Sequence, residues 1–406
     1  MHAHAEEIAI PNPGPAVFPA RVRSLLLGAT AIGVIVFVLA LLVDPQRAWY
    51  SFLTNYLFFL VLGIGGAFLV ALEYITSATW TVVFRRLPEA ASSFLPAAFL
   101  LGIVFLFGVP YIYPWAKPGF HGFLTHGKQV WFSMPFYSAR TLFTLAAWVL
   151  FGTWFVRNST RQDTQPGELL PRKTFGRAPT VRGRMAAGFL VFFGYSFTIL
   201  FVDWVMSLEP QWYTNMWGPY GFAGMFESSL ALVLLFTVLF RRRGMFDGAV
   251  KDYHYVDLAR MVHAFSIFMV YIGFAQYLLI WYANFREETI YFHERLVGGW
   301  GYVFLFLLLA KWVLPFCILM NQKIRTNETW LIIMSSLILF AEWFDCYWMV
   351  MPPIHSHFYI PNWVELGMFL GFLGIFGLLA TRYLSKHPTV PVGDPKFLGS
   401  VAGRYL

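Results

Sequence analysis

The sequence predicts an all-α integral membrane protein of about ten transmembrane helices, and three observations carry that reading. The 406 residues are 58% hydrophobic and 20% aromatic but only 12% charged, about half the charge of soluble domains. The apolar residues run in blocks longer than the roughly 18 that mark a membrane span. The breaks between blocks gather proline, glycine and charge. A formal charge of +8 does not point to nucleic acid, because the basic residues sit in the gaps between apolar blocks. Residues 1–20 hold no Lys or Arg, include Glu6 and Glu7 and are proline-rich, which is the wrong n-region for a cleaved signal peptide.

Taken in order, the apolar blocks place spans at 21–43, 51–76, 92–113, 130–156, 183–208, 219–240, 257–282, 298–320, 328–351 and 361–384. Asp44-Pro45 ends the first, Pro110 and Pro114 end the third, and Pro352-Pro353 close the ninth, because proline cannot continue a helix. The gap 157–182, with Pro166, Pro171, Pro179 and many charges, reads as an irregular loop. The chain therefore divides into an N-terminal tail 1–20, a ten-span domain 21–384 arranged as two packed helix bundles, and a C-terminal tail 385–406.

Charge decides the expected orientation. Alternate segments, starting with the N-terminus, hold Arg21 and Arg23, Arg85 and Arg86, seven basic residues in 157–184, then Arg241, Arg242, Arg243 and Lys251, Lys323 and Arg325, and a basic tail. The other side holds only Arg47, Lys117, Lys128, Arg286 and Arg295. The positive-inside rule then puts both termini in the cytoplasm, with the basic residues nearest the helix ends acting as snorkelling anchors. Trp115, Trp131, Trp212, Trp217 and Trp363 fall near outer ends, where an aromatic belt belongs.

Histidine and cysteine exclude intrinsic redox centres. Of ten His, only His263 lies inside an expected span; His2, His4, His121, His126, His254, His293, His355, His357 and His387 fall in loops or tails. One buried His cannot supply the two axial ligands of a b-type haem held between helices. Cys317 and Cys346 are the only cysteines, both expected as small buried hydrophobes, and no C-x-x-C motif is present. No metal site and no nucleotide motif is legible. Gly63, Gly65 and Gly66 lie mid-span, where small residues let helices approach.

Ionisable residues within spans are costly in hydrocarbon and must face protein, water or a partner. Glu73, His263 and Lys311 are expected toward the cytoplasmic half. Arg140, Asp203, Glu227 and Asp345 are expected toward the outer half, with Glu342 near the middle and Gln276 and Glu365 near the outer side. Glu342 and Asp345, three apart, share a helix face. Two sets at opposite depths suggest two half-channels for protons. The competing expectation is paired ions that fix helix packing, for example Lys311 with Glu73 or Arg140 with Asp203. Asp203 is the best single candidate for the proton path.

Two stretches carry a family resemblance: Asp203 to Gly218 (DWVMSLEPQWYTNMWG) and Asp257 through Glu288, with the core AQYLLIWYANFREE. Both resemble the ActF subunits of bacterial alternative complex III, within the wider NrfD/polysulfide-reductase group of membrane anchors. The family favours Ser before the Gln of the second stretch, where this chain has Ala275. The resemblance implies a cofactor-free, proton-conducting subunit of a quinol:cytochrome c oxidoreductase in the bacterial inner membrane. Its partners would be an ActC-like integral subunit, an ActB-like protein with iron–sulfur clusters, ActA- and ActE-like subunits with haem c, and lipids. A quinone or menaquinone surface on this subunit is implied by analogy with ActC. The subunit would not be catalytic alone, and no nucleic acid is implied.

Two other readings compete with a proton-conducting subunit. A structural anchor for periplasmic redox subunits would use its buried charges only for packing. A stand-alone secondary transporter would have helices broken mid-membrane in both halves, a pattern that Pro315 and Pro352-Pro353 do not make.

Overall fold

In the computed structural model, which describes residues 13–117, 119–120, 125–164 and 181–403, ten helices are long and apolar enough to cross a membrane. Of the described residues 79% are helical and none forms a strand. Spans 1 to 10 run Ala20–Val43, Pro45–Thr76, Arg86–Ile112, Met134–Thr164, Val181–Leu208, Trp217–Arg242, Asp252–Ala283, Trp300–Leu319, Glu328–Val350 and Trp363–Leu384. This is a multi-pass membrane protein.

Local chemistry sets the helix ends. Asp44 caps span 2 by accepting from the Arg47 backbone N–H at 3.1 Å, with Pro45 in the first turn, where its missing N–H costs nothing. Asn362 and Glu365 form a reciprocal capping box on span 10. Asn284 closes span 7 in the left-handed conformation at φ 50°, as C-terminal caps often do.

Span 2 is the axis, buried along most of its length, and packs against spans 1, 3, 4, 5, 6, 9 and 10. Span 6 packs against spans 2, 5, 7 and 9, and span 8 lies against spans 7 and 9. The expected two bundles therefore share one continuous core. Spans 1 and 10 meet through glycine: a Cβ on Gly33 would lie 2.2 Å from the Gly371 Cα, so only glycine allows this approach. Mid-span, a Cβ on Gly65 would strike Ser229 Oγ at 1.8 Å and one on Gly66 the Pro88 carbonyl at 2.3 Å, which accounts for the small residues noted there.

Several sequence expectations need correction. Pro110 lies inside the third helix, which runs on to Ile112. Residues 157–164 continue span 4 as helix; of the expected loop, 165–180 lie outside the described residues, as do His2, His4 and His121. His254 is not in a loop but in the first turn of span 7, buried, its Nδ1 accepting from the Lys251 backbone N–H at 2.9 Å. Cys346 is buried but Cys317 is exposed on the helix surface. Of the expected tryptophan belt, Trp115, Trp212 and Trp217 are buried in ring stacks and only Trp363 is exposed.

Arg85 and Arg86 are not snorkelling anchors. Both are fully buried. Arg85 donates to Glu73 at 2.6 Å and to Asp394 at 2.7 Å. Arg86 donates to Glu89 at 2.6 Å and to Ser159 at 3.0 Å, and pairs with Asp163. The C-terminal segment forms a strap over this network, with Gly393 N–H on Asp163 and Tyr253 OH donating to the Ser400 carbonyl at 2.6 Å. The two ends of the described chain meet here, Ala16 N–H donating to the Leu384 carbonyl at 2.9 Å.

Candidate functional site

Four of the eight sequence-selected ionisable residues converge between spans 6, 8 and 9. Lys311 Nζ donates to Glu342 Oε2 at 2.6 Å and to Asp345 Oδ2 at 2.7 Å, with all three side chains about 95% buried or more. The three-residue spacing of Glu342 and Asp345 does put both on one face, and that face receives the lysine. Tyr220 of span 6 donates its hydroxyl to Asp345 at 2.9 Å. Glu227, seven residues and two turns from Tyr220 on the same face of span 6, is fully buried within electrostatic reach of Lys311, Glu342 and Asp345. Neither of its carboxyl oxygens has a protein hydrogen-bond partner.

The backbone explains how the lysine reaches these carboxyls. Span 8 is α-helical over Trp300–Leu308, widens to a π-turn at Leu309–Val313, and resumes at Leu314–Leu319. Pro315 stands four residues after Lys311, so it has no N–H for the Lys311 carbonyl and its ring crowds that oxygen. The extra residue per turn relieves the clash. On span 6, Gly224 leaves room for Glu342: a Cβ there would lie 2.8 Å from Oε1.

The other four residues lie elsewhere. Asp203 accepts from Arg140 Nε at 2.7 Å and from Trp131 Nε1 at 2.8 Å, and the Arg140 guanidinium stacks on the Trp131 ring at 4.0 Å. This pair joins spans 4 and 5 and is saturated. Glu73 belongs to Arg85, not to Lys311, so the expected Lys311–Glu73 pair does not form. Lys311 joins the deeper acidic set rather than an inner half. His263 is half-buried and stacks on Phe316 at 5.4 Å, away from the cluster. Glu365, noted near the outer side, is saturated too: it accepts from Arg47 Nε and Nη2 at 3.0 Å each, from Ser51 and Tyr359 hydroxyls at 3.0 Å, and from Asn362 N–H at 2.9 Å.

The two stretches that carried the resemblance touch each other. Trp212 of the first donates Nε1 to the Glu288 carbonyl of the second at 3.2 Å and stacks on Tyr291 at 3.9 Å. Trp217 stacks on Tyr220 at 5.4 Å and meets Tyr291 edge-on at 5.3 Å. Arg295 lies 3.5 Å over the Tyr291 ring and pairs with Glu209 at 2.6 Å. Burial pushes the Glu209 carboxyl up, and the Arg295 charge pulls it back only in part. No protein-family model matches the chain, and no curated protein matches it.

What the cluster can do follows from its charge count. One ammonium faces three carboxyls. Two carboxyls are held by the lysine, and a third without a donor costs a few kcal/mol if ionised at that depth. Glu227 is therefore accommodated as the neutral acid, and the site holds a proton that one of three neighbouring carboxyls can carry.

Sequence reasoning missed Tyr220, which is one of 20 tyrosines and carries no local signal. It also missed the role of Gly224. Pro315 was a usable signal for Lys311, since a proline four residues after an intramembrane lysine forces a local change of helix pitch.

Proposed function

We propose that this chain is an integral, cofactor-free subunit of a multi-subunit quinol:electron-acceptor oxidoreductase of the alternative complex III type, and that it carries protons through Lys311, Glu342, Asp345 and Glu227. The observation that carries the reading is Glu227, fully buried with no protein partner on either oxygen beside a lysine already shared by two carboxylates. A group kept only for packing is normally hydrogen-bonded. The resemblance of the Asp203–Gly218 and Asp257–Glu288 stretches supports the assignment to an electron-transfer complex. In that setting ActC-like, ActB-like and haem-bearing ActA- and ActE-like partners hold the redox centres.

Proton movement in this scheme needs no cofactor on the chain. A proton arriving at Glu342 or Asp345 weakens that residue's hold on Lys311. The ammonium then swings its full charge onto the remaining carboxylate; Glu227, resting as the neutral acid, releases its proton to water and takes up the one held by Glu342 or Asp345, so the cluster returns to its starting state and one proton has passed. The decisive experiment is Glu227→Gln in the assembled complex, reconstituted in vesicles. Quinol oxidation should persist while coupled proton movement falls. Full proton coupling in a normally assembled variant defeats the proposal. Purification with a haem stain tests the setting, since the subunit should bring haem-bearing partners with it.

The anchor reading draws support from a different set of groups. Arg140–Asp203 and Arg47–Glu365 are closed ion pairs, and the Arg85–Arg86 network, although Arg85 Nη1, Arg86 Nε and Glu89 Oε1 have no partner, ties spans 2, 3 and 4 to the C-terminal strap; these serve packing. Both roles coexist in one chain, divided by residue.

A further inference from the structure

We propose that the cluster opens toward the face opposite the chain ends through a file of water lined by Tyr220, Trp217, Gln276 and Tyr291 and ending at the Glu209–Arg295 pair, with Glu209 as the carboxyl that exchanges protons with that aqueous face. This rests on the proton-carrying reading above and names its route.

The contacts are continuous. Asp345 accepts from Tyr220 at 2.9 Å, Tyr220 stacks on Trp217, and Trp217 meets Tyr291. The Tyr291 ring lies 3.5 Å under the Arg295 guanidinium, which pairs with Glu209 at 2.6 Å. Gly273, one turn along span 7 from Gln276, brings that helix against the Tyr220 ring, where a Cβ would lie 3.4 Å from it. Along this line stand donors and acceptors with no protein partner: Trp217 Nε1, both amide atoms of Gln276 and the Tyr291 hydroxyl. All three residues are only 2% exposed. Buried polar groups in native proteins are satisfied by protein or by ordered water, and a row of them between two carboxyls is the lining of a water file.

Glu209 suits the exit. Its side chain is 16% exposed, whereas its partner Arg295 is 1% exposed. Arg295 is also fixed by the Met349 carbonyl at 3.1 Å. The opposite direction offers far less. From Glu227 toward the chain ends, the helices present buried Leu230, Val233, Leu234 and Ile338; among them the Ser228 and Thr237 hydroxyls are bonded to their own helix backbone, and the Ser229 and Ser335 hydroxyls have no protein partner. In the file, a proton leaving Asp345 is taken up as the Tyr220 hydroxyl passes its own proton to water. The file delivers one to the Glu209 carboxylate, so the Tyr220 and water protonation states are restored and one charge has moved.

Radiolytic hydroxyl-radical footprinting of the unmodified chain tests this, because it marks buried side chains that touch water. Trp217 and Tyr291 should be oxidised as readily as exposed aromatics. Trp148 and Trp300 are the controls: each is 0% exposed, but their Nε1 groups are bonded to Ser196 and to the His355 carbonyl. Protection of Trp217 and Tyr291 equal to that of the controls overturns the file. Sidedness is read with Gln276→Cys in a Cys317→Ser/Cys346→Ser background, using a membrane-impermeant thiol reagent. Reaction from the face opposite the chain ends supports the route; reaction only from the chain-end face overturns it. Failure here is distinct from failure of the proton-carrying reading, which is judged by Glu227→Gln.

Discussion

Replacing Lys311 by Met removes the one cation from a site with three carboxyls, and its cost follows from the geometry. Lys311 Nζ sits 2.6 and 2.7 Å from two carboxylates with side chains no more than 5% exposed. At an effective dielectric near 20, each contact is an attraction of several kcal/mol, much of it offset by desolvation. What shows on breaking such a pair from one side is about 3–5 kcal/mol, because the remaining charges are left buried and uncompensated. Neutralising the whole set should recover most of that loss, since a buried ion group replaced entire is often neutral or stabilising. The triple variant Lys311→Met/Glu342→Gln/Asp345→Asn keeps shape and leaves Tyr220 an acceptor at position 345. Denaturant titration in mixed micelles, followed by far-ultraviolet circular dichroism, reads both. The reasoning fails if Lys311→Met alone lies within about 1 kcal/mol of the parent, a typical effect for any point change, or if the triple variant is no more stable than the single.

Other perturbations separate structural from functional charges. Asp203→Asn should destabilise by about 1.5–3 kcal/mol, the worth of a hydrogen bond to a charged group, yet leave proton coupling intact in the reconstituted complex. Gly33→Leu should weaken the contact between spans 1 and 10 by about 1–3 kcal/mol as an overpacked position, visible as a lower denaturation midpoint. Burial alone would raise the Asp394 carboxyl, but Arg85 at 2.7 Å and the Lys396 N–H hold it below its ordinary value. A carboxyl depressed in the folded state contributes stability above its unfolded value, about 3.9, and loses that contribution as pH falls through the folded value. Proteolysis within 385–403 should therefore accelerate below about pH 4, and Asp394→Asn should loosen the strap at neutral pH as well. Glu227→Gln should leave stability unchanged or raise it, since the native acid has no partner to lose.

The ten spans were legible because membrane insertion imposes its constraint on every residue of a block, so composition and length suffice. Helix ends were legible where one residue decides them, as at Asp44-Pro45, and misread where proline lies close enough to an end to be tolerated, as at Pro110. Pairing was only partly legible. The Glu342–Asp345 spacing is local and was read correctly, and Arg140–Asp203 was one of two pairs considered. Lys311–Glu73 failed because depth along a helix says nothing about which way its face turns, and the π-turn rotates Lys311 onto span 9. Arg85 and Arg86 looked like anchors because the sequence cannot show that Asp394, 309 residues on, covers Arg85, or that Glu89, Ser159 and Asp163 enclose Arg86.

Partner counts, more than burial, divide these charges by role. Glu365 has five donors on its two oxygens, and Asp203 has a guanidinium and an indole. Such groups are fixed in one protonation state by their neighbours, and changing that state breaks several bonds at once. The Lys311 cluster is built the other way. Its lysine is shared, Tyr220 can turn its single hydroxyl between acceptors, and Glu227 has no donor to lose, so a proton can shift among three carboxyls without unpacking the helices around them. Among the described residues, span 8 alone has a π-turn, a local departure that accommodates Pro315 and places Lys311 against span 9. In the proposed proton-carrying role, this placement is what lets one lysine serve two carboxylates.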